Sequence, residues 1–169
     1  MLVRPCPDET QHRYEEALHI SEQAFVLCQA KGDPVGEAWA LNAVGWFRGL
    51  FGDYARAEAD CRSALESHRQ SGDMLGEAVT LDSLGYHRHQ VGDYATAIAL
   101  YREAIAAYRQ VSDTFHLPQT LAHLGDTYHA SGDLEKARST WQEALAYLTD
   151  MHYPDADELK IKLQESSRV

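Results

Sequence analysis

The chain has 169 residues, room for one ordinary globular domain or one short repeat array. Its 15 Lys plus Arg stand against 26 Asp plus Glu, a formal charge of −11, which argues against a direct grip on nucleic-acid phosphates and favours basic or neutral protein partners. Cys6, Cys28 and Cys61 show no CxxC spacing, no apolar run reaches the ~20 residues of a membrane span, and Met1 to Pro7 lacks the apolar core of a signal peptide, so we expect no disulfide framework, no structural zinc, no membrane, and a cytoplasmic protein.

Residues 1–10 carry Pro5, Pro7 and Asp8-Glu9-Thr10 and read as a flexible lead-in that ends near a helix cap. Over 11–31, Tyr14, Ala17, Leu18, Ala24, Phe25 and Cys28 recur at helical spacing. Gly32-Asp33-Pro34 then combines a left-handed C-cap, an N-cap and a first-turn proline, and the turn returns as Gly72-Asp73 and Ser112-Asp113. Each such turn opens a helix, here called an A helix, bearing Leu41, Val44 and Gly45, then Leu81, Leu84 and Gly85, then Leu121, Leu124 and Gly125. Pro118 falls inside the third of these, so that helix is expected to start late, near Leu117.

Every A helix stops at a recurring phrase: Gly52-Asp53-Tyr54, Gly92-Asp93-Tyr94 and Gly132-Asp133-Leu134, forty residues apart. A fixed period in this range is the mark of a repeat array. The helices that follow, the B helices, carry Ala57, Ala64 and Leu65 and their equivalents at 97, 104, 105 and at 137, 144, 145, an apolar stripe. Two-residue connections make each A and B pair antiparallel neighbours, with Gly45, Gly85 and Gly125 set against Ala57, Ala97 and Ala137 for close approach. The tail, with Ala156, Leu159 and Leu163 on one face, suits a capping helix over 155–167. The expected architecture is all-α: a half repeat at 11–31, repeats at 32–71, 72–111 and 112–151 and the cap, about eight helices in one superhelical array spanning 11–169.

Leu41, Val44 and Gly45 with Ala57 and Ala64, and their equivalents, resemble the tetratricopeptide repeat over roughly residues 11–167. The usual Trp of that pattern is Leu at 41, 81 and 121, its Tyr appears only as Tyr128, its late Pro is absent, and the period is longer than the family's 34. Phrases such as Gly85-Tyr86, Gly92-Asp93-Tyr94 and Arg109-Gln110 look like the forty-residue repeats of kinesin light chain and of actinobacterial antibiotic-regulatory-type transcription factors and related signalling NTPases. The resemblance implies a superhelix of antiparallel helix pairs that works as a non-catalytic interaction module, and in the regulators it implies a sensor or scaffold part. No GxxxxGK[ST] and no basic recognition helix occur in this chain.

In that family the A helices line the binding groove. By resemblance its positions here are Trp39, Asn42, Trp46 and Gly49, then Val79, Asp82, Tyr86 and His89, then Gln119, Ala122, Asp126 and His129; spacings of three, four and three put each set on one stripe of one helix. The implied partner is a protein or peptide with apolar anchors and a basic end, gripped by Trp39, Trp46 and Tyr86. Packing of the tryptophans on the N-terminal helix is the alternative for Trp39 above all. A chaperone-tail receptor is disfavoured, because the groove has Asn42 but no lysine. Two further readings remain open. His89, Asp126 and His129 could converge on a metal, although no HExxH supports it and no cofactor is implied. Helix 11–30, a B helix without an A partner, could use Leu18 and Phe25 to form a homodimer.

Overall fold

A computed structural model describes residues 7–151 and 155–166. Among these the chain forms eight α-helices and no strand: α1 (Pro7–Lys31), α2 (Pro34–Leu50), α3 (Tyr54–Ser71), α4 (Met74–Gln90), α5 (Tyr94–Gln110), α6 (Leu117–Ala130), α7 (Leu134–Met151) and α8 (Asp155–Ser166). Within the described residues α1 is already helical from Pro7, ahead of the expected Gln11. The sequence expectation for residues 1–6 lies outside the described residues. The chain divides into two compact units, Met1–Gly76 and Glu77–Val169. In the first, α2 packs on α1 and α3; in the second, α6 packs on α5 and α7, and α7 on α8.

Backbone chemistry fixes the turns. Gly52, Gly92 and Gly132 sit at φ of 82°, 79° and 88°, a region closed to most side chains, and Asp53, Asp93 and Asp133 accept the backbone N–H three residues on at 3.2–3.3 Å. Where serine replaces glycine, Ser112 still adopts φ 56°. Helix α6 starts at Leu117 with Pro118 in its first turn, as the proline requires. Asp113 instead holds the preceding turn, accepting the N–H groups of Phe115 at 2.9 Å and His116 at 2.7 Å. Among the described residues no helix is long and apolar enough to cross a membrane.

Within each pair the small residues set the approach, but their nearest partners differ from the expected alanines. A methyl group added at Gly45 would lie 2.5 Å from Cys61 Sγ and 2.9 Å from the Ala57 carbonyl oxygen, one at Gly85 2.8 Å from the Tyr101 ring, and one at Gly125 closer still to the Trp141 indole. The antiparallel B helix thus brings the residue one turn beyond the alanine over the glycine. Helix α8 keeps the A-helix register: Leu159, Lys162 and Ser166 stand forty residues after Gln119, Ala122 and Asp126. It departs on the face that elsewhere receives a B helix, where exposed Gln164 and Glu165 replace buried Val44, Leu84 or Leu124 and buried glycine.

Candidate functional site

On α2, Trp39 is half-buried. Its ring meets His68 of α3 edge-on at 5.2 Å between centroids, and its Nε1–H donates to Asp73 at 2.8 Å. Asn42 is only 5% exposed and its amide oxygen takes the Cys61 thiol at 3.5 Å, so this side chain joins α2 to α3 and presents nothing to solvent. Gly49 is buried too, which leaves Trp46, half-buried, as the other aromatic of this stripe within reach of a partner. Burial, followed by the neighbouring Asp60 and Glu58 carboxylates, pushes the Cys61 thiol up to about 12, and a thiol held neutral in this way is unreactive.

In the second unit the half-exposed stripe residues come together in pairs and clusters. Asp82 of α4 accepts from His123 Nδ1 of α6 at 3.2 Å, and the Tyr86 ring lies 5.9 Å from that imidazole. Burial works to lower the His123 pKa, but the Asp82 charge and hydrogen bond, with Asp126 behind them, outweigh it and hold the imidazolium above its ordinary value. His89 goes the other way, lowered chiefly by burial. The Thr127 hydroxyl donates to the His123 carbonyl at 2.8 Å, so its contact with His89 Nδ1 at 2.9 Å makes that nitrogen the donor and leaves His89 Nε2 as an acceptor. Val79, also on α4, is half-buried.

Asp126 is the hub. Its carboxylate accepts from Trp141 Nε1 at 3.0 Å and from Lys162 Nζ of α8 at 2.9 Å, and Lys162 reaches Glu158 at 3.0 Å as well. Burial tends to lower the Lys162 pKa, yet its bonds to Asp126 and Glu158 raise it, so the ammonium is firmly charged. Two cavities flank this hub. One, of about 280 Å³, has Gln119, Ala122, His123 and Leu159 on its walls; the other, of about 720 Å³, has His89, His129 and Trp141, with the exposed His129 ring 5.5 Å from the indole.

Among the described residues no group of three or more His, Cys, Asp or Glu is placed to hold a metal ion. His89, Asp126 and His129 do line one cavity, but the Asp126 oxygens already serve Trp141 and Lys162. The cationic and indole partners were missed by stripe reasoning. Lys162 was within reach of it, because carrying the forty-residue period into the tail sets Lys162 at the position of Asn42, Asp82 and Ala122.

The tetratricopeptide repeat profile matches residues 47–110 and 76–150, well over half of the chain. The chain belongs to the tetratricopeptide repeat family. Among solved structures the array is similar to BtubC (BKLC) from P. vanneervenii, at 18% identity and a TM-score of 0.80, over 95% of this chain and 67% of that one. It is similar also to the nearly identical TPR-like repeats of a putative kinesin light chain from Podosopora anserina, at 13% identity and a TM-score of 0.70, over 95% of this chain and 83% of the other. A second crystal structure of those repeats, with one residue substituted, superposes with a TM-score of 0.71 at the same identity, over 95% of this chain and 82% of that one. No curated protein sequence matches. At these identities the likeness establishes the fold, a TPR-like solenoid of helix pairs. Tetratricopeptide arrays are in general non-catalytic scaffolds for protein–protein interaction.

Proposed function

We propose that the A-helix stripes bind a protein or peptide segment, with Trp46 as the anchor in the first unit and, in the second, Tyr86 as the anchor and Val79, Asp82, His89, Gln119, Asp126 and His129 shaping the contact. The supporting observation is the exposure pattern. Around each A helix the positions of Val44, Leu84 and Leu124 are buried, whereas 46, 79, 82, 86, 89, 119 and 126 stay half-exposed and carry aromatic, aliphatic, acidic, imidazole and amide groups. Aromatic side chains that a partner can cover are the usual anchors of binding hot spots. Trp39 contributes its outer edge, and Asn42 contributes through the packing of α2 on α3.

A basic end on the partner would meet Asp82, already bonded to His123, and Asp126, already paired with the Lys162 ammonium, so at Asp126 it must compete with Lys162. That competition supplies the experiment. Partners captured by the intact chain should be lost from a Trp46→Ala, Tyr86→Ala double variant and should bind more tightly to Lys162→Ala. Unchanged capture by the double variant would remove the A-helix stripe as the binding face.

A second reading, a homodimer through α1, has its own observation. Leu18 and Phe25 are half-buried inside the unit, but Ile20, Val26 and Leu27 of α1 are 63%, 61% and 58% exposed. Light scattering at high concentration decides it: a dimer that becomes a monomer on Val26→Asp, Leu27→Asp supports self-association, and a strict monomer removes it. A role as the sensor part of a cytoplasmic regulatory protein rests on the resemblance to antibiotic-regulatory-type factors and is tested by whether the gene product also carries a nucleotide-binding domain.

A further inference from the structure

The groove between successive B helices, floored by the A helix between them, occurs in both units and differs in charge. In the first unit it is closed from within: Arg48 of α2 bridges Glu22 of α1 at 3.0 Å and Asp60 of α3 at 2.6 Å. Eighty residues on, the same three positions are Arg102 of α5, Tyr128 of α6 and Thr140 of α7. Both carboxylates have gone, and a guanidinium stands where one of them was. The groove at this place is open, a cavity of about 390 Å³ that Arg109, Lys136 and Glu143 also line.

The charges around it are unevenly satisfied. Arg109 is paired with Glu143, and Lys136 with Asp133 while its ammonium lies 5.5 Å above the Tyr128 ring. No ion pair or hydrogen bond of Arg102 is found among the described residues. The cause is local: Arg62, at the same position one repeat earlier, takes Glu58 four residues before it at 2.7 Å, whereas Arg102 has Ile98 there. The Asp133 hydrogen bond raises the Lys136 pKa, and Arg102 opposes it, as two like charges facing one space must.

We propose that the α5–α7 groove is a second docking surface, on the opposite helices from the A-helix stripe, and that it takes an acidic peptide segment whose carboxylate sits between Arg102 and Lys136. An external carboxylate supplies what Glu22 and Asp60 supply in the first unit. The surrounding groups favour such a guest. A planar guanidinium offers a bidentate fork, and the flanking Tyr128 and Thr140 exclude water from one side of the contact. The net charge of −11 opposes the approach of an acidic segment to the chain as a whole, so the attraction is local, from Arg102 and Lys136 at short range.

The full chain is titrated calorimetrically with an acetylated, amidated hexaglutamate peptide at low salt. Saturable binding is expected, weakened about tenfold by Arg102→Gln and unchanged by Arg62→Gln, with circular dichroism confirming the helix content of each. Thr140→Asp, which returns a carboxylate to the groove, should weaken binding as well. Tyr86→Ala should leave it intact, which separates this surface from the A-helix stripe. Absence of saturable binding, or binding indifferent to Arg102, overturns the proposal. So does displacement of the peptide by millimolar inorganic phosphate with the same Arg102 dependence, since that marks a site for free anions.

Discussion

The pairs α2–α3 and α6–α7 stand on one frame and fill it differently. In the first, Gly45 meets a thiol and a carbonyl, and Asn42 returns the contact by accepting from Cys61. In the second, Gly125 meets the five-membered ring of an indole that is 3% exposed, and that indole is held in turn by Asp126 and, through it, by Lys162 of α8. The glycine fixes how near the backbones come, while the residue opposite decides how much of the joint is side chain. A small partner makes a plain joint. A large one ties three helices to the candidate site.

The largest break in this comparison should come from Trp141→Ala, at about 3–5 kcal/mol in denaturant unfolding, against about 1 kcal/mol for Cys61→Ala at the same repeat position. Equal costs would mean that the two joints are equivalent after all. Next, Gly125→Ala should cost about 1–3 kcal/mol by overpacking the indole. Combined with Trp141→Ala it should cost less than the separate losses together, because the clash has no partner left.

A smaller, pH-dependent effect concerns His123. Its folded pKa lies above the unfolded value, so the stability from its pair with Asp82 is fully present below about pH 6.5 and is lost as pH rises through the folded value. Unfolding of wild type and Asp82→Asn at pH 5.5 and pH 8.5 should show a gap that shrinks at the higher pH. Smallest of all, Ser112→Gly should stabilise by up to about 1 kcal/mol, since it relieves a left-handed backbone at a turn where the other repeats use glycine.

Local chemistry is what made the fold legible. Turns, caps and the late start of α6 depend on residues within four positions of one another, so Gly52-Asp53 or Pro118 announces its own effect. The candidate site is assembled across neighbouring A helices, and there the spacing fails. Asp82 meets His123 over 41 residues, His89 meets Thr127 over 38 and Asp126 meets Lys162 over 36, none equal to the period of forty. The stagger between helices sets those offsets, and side-chain reach varies it from pair to pair. Stripe spacing therefore marks which residues share a face, as with Tyr86 and Asp126, without marking which of them meet or that Asn42 is sealed beneath it.

Helix α8 constrains how such a chain can lengthen over evolutionary time. A duplicated forty-residue unit can be spliced in anywhere upstream, since every junction there offers the next helix a glycine. A copy joined after Ser166 would find Glu165 in the seat that the incoming helix needs. A helix added there would therefore need a joint of another kind, seated on exposed Gln164 and Glu165 instead of a buried aliphatic residue and a glycine.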